Sequence, residues 1–80
     1  MKDLVIVGGR YIVNIQYDKG VAPMVISRGM GNMGNKIREI AGADIRIHED
    51  EALAHALFCC VAPGKKLPVS LYRLVEDILI

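Results

Sequence analysis

The stretch VAPMVISRGMGNMGNKIREIA, residues 21–41, decides how this chain is read. Closely spaced glycines separate an apolar run from isoleucines at helical spacing. If residues 22–28 are helical, the step Gly31-Asn32-Met33-Gly34 joins two helices. If they are extended, the glycines form a strand-to-helix turn. The run carries Pro23 and the β-branched Val25 and Ile26, which favour strand over helix. We read a strand over residues 24–27, with Pro23 at its start, where a missing N–H costs least.

Upstream, residues 4–7 form an apolar run stopped by Gly8-Gly9. Residues 11–17 alternate, with Tyr11, Val13, Ile15 and Tyr17 on one face and Ile12, Asn14 and Gln16 on the other, as in a half-buried strand. The two glycines supply positive φ cheaply, so the first two strands make a hairpin. Asp18-Lys19-Gly20 is turn-like. Downstream, Met33, Ile37, Ile40 and Ala41 predict a helix over residues 32–41, with Gly42 as its C-terminal cap. Ala43, Ile45 and Ile47 alternate with Asp44, Arg46 and His48, which predicts a fourth strand. Asp50 caps a second helix with Leu53, Ala54, Leu57 and Phe58 on its inner side. Pro63-Gly64 breaks the chain, and Pro68 opens a third helix whose stripe is Leu71, Leu74, Val75, Ile78 and Leu79. The order is β-β-β-α-β-α-α. The fold class is α/β, a mixed four-stranded sheet covered by about three helices in one domain, residues 1–80. The helix between strands three and four predicts a βαβ crossover and a partly parallel sheet.

Eighty residues allow one small core, burying about 60% of the surface that the unfolded chain exposes. A hydrophobic fraction of 52% is ample for packing. The formal net charge of +1 is no electrostatic footprint for nucleic acid, so none is expected as a partner. No apolar run approaches a membrane span, and the opening MKDLVIVGG reads as a strand and not as a signal peptide. The adjacent Cys59 and Cys60 make no disulfide framework, which indicates a reduced, cytosolic setting.

The chemical candidates are few. A G-x-x-G loop that clamps a nucleic-acid backbone between helices marks KH-type RNA-binding modules. That alternative, a KH-like single-stranded RNA binder, needs a helix just before Gly31. Asn32 and Met33 inside the step are neutral, and Arg28, Lys36 and Arg38 lie nearby in sequence. His55 and Cys59 share a helix face and, with His48, have the types for a zinc site. The bland reading is preferred: His55 sits between alanines on a partly exposed helix, and Cys59 is a small buried apolar residue. Neither metal nor cofactor is expected. Glu49, Asp50 and Glu51 complement a helix dipole. Ser27 and Ser70 stand in no nucleophile motif, and no helix follows the Val7-Gly8-Gly9-Arg10 turn, so it is no dinucleotide fingerprint.

A longer pattern runs through the chain. It comprises Tyr17-Asp18, Ala22-Pro23, Ile37-Arg38-Glu39-Ile40-Ala41, Glu49-Asp50 with Leu53-Ala54 and Ala56-Leu57, and Pro68 with Leu71-Tyr72. In this order it resembles the cytoplasmic domain of the type III secretion export-switch family, that of FlhB, YscU and SpaS. The resemblance covers nearly the whole chain, and it implies a protein-binding and regulatory module of a flagellar or injectisome export apparatus. The partners it implies are export substrates, export-gate components and length-control proteins. The place it implies is the cytoplasmic face of the inner membrane, with membrane contact only through a membrane domain or partner absent from this chain.

The family's signature is Asn-Pro-Thr-His in the first hairpin turn, where the asparagine side chain attacks its own backbone carbonyl and cuts the chain. The matching positions are Val7, Gly8, Gly9 and Arg10. Valine has no amide to cyclise, and no Asn-Pro bond exists in the chain. The resemblance therefore implies a non-cleaving relative, and no enzyme. His55 also replaces the family's usual arginine, and the loop after Ala41 is about a residue shorter. For docking, the expected apolar surface includes Ala22, Pro23 and the end of the last helix near Leu79.

Overall fold

The computed structural model describes residues 2–18, 20–31 and 45–79. Four strands, β1 (Lys2–Gly8), β2 (Tyr11–Asp18), β3 (Val21–Met30) and β4 (Arg46–Glu49), form one sheet in the order β3-β2-β1-β4. Two helices follow, α1 (Glu51–Cys60) and α2 (Val69–Leu79). The expected helix over residues 32–41 and its Gly42 cap lie outside the described residues, as do Lys36, Arg38, Ala43 and Asp44.

The first part of the quoted stretch, Val21–Met30, is strand. Residues 22–28 lie within β3, which pairs antiparallel with β2 from Asp18↔Val21 to Tyr11↔Met30. A helix before Gly31, which a KH-type clamp requires, is therefore ruled out. β3 is longer than its sequence suggested, and it is irregular. Its register shifts twice against β2, between Asn14 and Ile15 and between Gln16 and Asp18. Each time β3 carries the extra residue. Pro23 therefore lies inside the strand at a bulge, where no ladder N–H is needed, and not at its start. Gly29 also lies within β3, opposite Ile12; the turn falls at Gly31, with φ of +66°.

The outer edge of β3 is covered. Val25 N–H donates to the Lys65 carbonyl at 3.2 Å, and Gly64 N–H donates to the Val25 carbonyl at 2.7 Å. Leu67 N–H reaches the Pro23 carbonyl at 3.4 Å. The turn at Gly64, with φ of +85°, brings this connector back along the strand and blunts an otherwise open edge.

β4 adds to the opposite edge, parallel to β1, with Leu4↔Arg46 to Val7↔Glu49 in register. The sheet is mixed, as expected, but its parallel pair joins strands one and four. β1 is thus internal, and its Leu4, Val5, Ile6 and Val7 are all buried. Such a continuous apolar run fits a strand covered on both faces. One face carries the main core, where Leu4, Ile6, Val13, Ile15 and Val25 pack on Leu53, Ala54 and Leu57 of α1 and Val75 of α2. The other carries a smaller cluster of Val5, Val7 and Ile12, with Ile45 against it.

Asp50 caps α1, its side chain accepting from Leu53 N–H at 3.0 Å. α2 buries Val75, with Leu71, Tyr72, Ile78 and Leu79 half-buried around it. Leu74, expected in that stripe, is 51% exposed. Tyr72 takes the place on the inner face that the sequence assigned to Leu74.

Candidate functional site

Val7, Gly8, Gly9 and Arg10 lie where β1 turns into β2. Gly8 pairs with Tyr11, leaving Gly9 and Arg10 as a two-residue loop. Only Gly9 has positive φ, +57°, as the first loop residue of a II′-type hairpin requires. Gly8 is a strand residue, and its lack of a side chain serves another purpose. A Cβ there would stand 2.8 Å from the carbonyl carbon of Asp50 and 2.5 Å from the nitrogen of Glu51. The start of α1 therefore rests directly on the backbone of the hairpin. Asp50 N–H donates to the Val7 carbonyl at 2.8 Å, while its carboxylate caps the helix. One residue thus ties the end of β1 to α1.

Around this junction lies an open cavity of about 570 Å³, lined by the turn, Ile12, Gly31 and Glu49 to Glu51. The Val7 side chain is buried in the second cluster. Positions 7 to 10 carry neither a side-chain amide nor a hydroxyl. The Val7 carbonyl accepts the Asp50 N–H noted above.

A second concavity, about 420 Å³, opens on the core side between the ends of β2 and β3 and α2. It gathers the three residues expected to dock partners. Ala22 is half-buried, Pro23 is buried as part of the floor, and Leu79 is half-buried on α2. Tyr17, Tyr72 and the acidic Asp18 and Glu76 complete the walls with Gly20. Sequence reasoning missed the two tyrosines and Glu76. The signal was present: Tyr72, Glu76 and Leu79 are spaced i, i+4, i+7, which is one helix face.

The His and Cys residues do not converge. His55 is exposed and stacks on Tyr11, with ring centroids 4.8 Å apart and planes 25° apart. Tyr11 also meets Phe58 at 4.9 Å. Cys59, expected to be buried, is exposed at the end of α1 beside Cys60. The last turn of the helix has rotated both away from the core, which Leu57 and Val61 fill. Among the described residues, no three His, Cys, Asp or Glu side chains gather to hold a metal. Arg28 braces the end of α1. It lies 5.0 Å over the Phe58 ring and donates to the Phe58 carbonyl and, at 3.4 Å, to the Val61 carbonyl. α1 has no basic residue in its own last turn, so β3 supplies the cation for its C-terminus.

No helix among the described residues is long and apolar enough to cross a membrane. The architecture matches the cytoplasmic domain of FlhB from Shewanella putrefaciens with a TM-score of 0.87, at 31% identity, over 98% of this chain and 68% of that one. A mutated EscU C-terminal domain shares the fold at a TM-score of 0.87 and 21% identity, over 95% of this chain and 73% of that one. In sequence, the chain is 41% identical over 73 residues to the flagellar biosynthetic protein FlhB of Salmonella typhimurium, covering 86% of this chain and 19% of that protein. It is 35% identical over 63 residues to FlhB of Aquifex aeolicus, covering 78% and 18%. The chain thus spans less than a fifth of the FlhB proteins it matches. Strand order, the helix pair and these identities agree with a match of residues 3–80 to the model of the FlhB HrpN YscU SpaS family, and the chain belongs to that family.

Proposed function

We propose that this domain is a docking module of a type III protein export apparatus that works without self-cleavage. It takes part in the export route through protein contacts, with export substrates and with gate or length-control components. Its place in this reading is the cytoplasmic face of the inner-membrane export gate. The observation that carries the docking half is the groove. Ala22 and Pro23 on β3 and Leu79 on α2 are far apart in the chain, yet they line one concavity with two tyrosines. Half-buried aromatic and aliphatic side chains around a recess are the composition of a peptide-binding site. The non-cleaving half rests on chemistry: the hairpin offers no amide nucleophile, and no asparagine in the chain precedes a proline.

The test is a pull-down of purified export substrates by the wild-type domain and by Ala22→Asp, Pro23→Asp and Leu79→Asp. Ala22 and Leu79 are half-buried and tolerate the change better than buried Pro23. Loss of capture in variants that keep their circular dichroism supports the reading. Undiminished capture by all three folded variants removes the groove from it.

A further inference from the structure

The groove carries a charge pattern that sets what it accepts. On α2, Glu76 stands between Tyr72 and Leu79 on the face that lines the recess. Tyr72 and Leu79 pack against the core, whereas Glu76 is exposed and makes no ion pair or hydrogen bond among the described residues. Asp18 closes the opposite rim from the end of β2, and Asp77 follows Glu76 on the helix. α2 has no basic residue in its last turn, so the negative end of its dipole is uncompensated on the helix itself. Both charged groups among the described lining residues are therefore acidic, and they flank apolar walls.

We propose that the groove selects an apolar peptide segment that carries a lysine or arginine beside its apolar residues, and that Glu76 is the residue that makes the selection. The inference rests on the docking reading above and adds to it the charge of the partner. The apolar side chains would occupy the space between Tyr17, Pro23, Tyr72 and Leu79. The cation would meet Glu76 at the rim, where an acidic neighbour on the peptide would be repelled.

The experiment is fluorescence anisotropy with two labelled synthetic peptides that share an apolar core and differ at one flanking position, lysine or glutamate. Wild-type domain is expected to bind the lysine peptide about 2–5-fold more tightly at low salt, the range for an exposed ion pair. The preference should vanish at high salt, where screening is strong. E76Q should bind both peptides alike, and E76K should prefer the glutamate peptide. Equal affinities for both peptides in the wild type, or an unchanged lysine preference in E76K, overturn the assignment of Glu76 while leaving the docking groove intact. Absence of binding by either peptide at any salt overturns the groove reading and this inference together. Glu76 is exposed, so both variants should keep their fold.

Discussion

Replacing Gly8 with alanine tests how the hairpin and α1 are joined. Gly8 does not have positive φ, so alanine suits its backbone and, on conformational grounds alone, should be harmless or slightly stabilising. Packing predicts the reverse. The new methyl would lie 2.5 Å from Glu51 N and 2.8 Å from the Asp50 carbonyl carbon, where about 3.5–4.0 Å is comfortable for carbon atoms. These are backbone atoms, so no rotamer relieves the clash. The start of α1 must withdraw by about 1 Å, enough to break a 2.8 Å bond from Asp50 N–H to the Val7 carbonyl. Overpacking costs about 1–3 kcal/mol and the abandoned carbonyl about 1–3 more, so the expected loss is roughly 2–6 kcal/mol. For a domain of this size each kcal/mol is about 4–8 °C in Tm, which predicts a fall of at least about 8 °C. Gly20→Ala is the control. Its φ is +79° but nothing lies within 4 Å of its added Cβ, so only the left-handed strain of about 1–2 kcal/mol applies. Thermal melts of the three proteins by circular dichroism suffice. Gly8→Ala melting within a few degrees of wild type, or losing less than Gly20→Ala, refutes the close approach.

Arg28→Met keeps the aliphatic stem but removes the cation from the end of α1 and from the Phe58 ring, and should cost about 1–3 kcal/mol in a urea titration with little change in slope. Cys59 and Cys60 are both exposed, so both should react with a thiol reagent in the folded protein without denaturant. Intact mass should stay constant through prolonged incubation at neutral pH; a cut at the Val7-Gly8 bond would show a cleavage route that needs no asparagine.

What the sequence disclosed depended on whether a feature was local. The alternation of residues 11–17, the Asp50 cap and the breaking Pro63-Gly64 turn are set by near neighbours, and each sits as expected. β3 was harder because its two bulges interrupt the period of two, so only residues 24–27 of its ten looked like a strand. The partner of β4 is a tertiary fact: a connector of any composition could have returned it beside β3 or β1. Leu74 and Cys59 misled for a shared reason. Each is apolar and falls near an apolar stripe, but neighbouring residues, Val75 and Leu57, sit closer to the centre of the buried face. In the groove, Ala22, Pro23 and Leu79 were indicated by family resemblance, whereas Tyr17 joins them only through the pairing of β2 with β3. An acidic residue on a helix usually marks a solvated face, so Glu76 gives no signal by itself. Its setting between Tyr72 and Leu79 became evident once the strand ends opposite were known.

The docking claim is tested most directly by amide chemical-shift mapping of the labelled domain on addition of an export substrate. Perturbed signals are expected to concentrate on Tyr17, Asp18, Ala22, Tyr72, Glu76 and Leu79, while those of β1 and the far face stay in place. Perturbations centred on the hairpin turn or on the exposed end of α1, or none at saturating substrate, would contradict it.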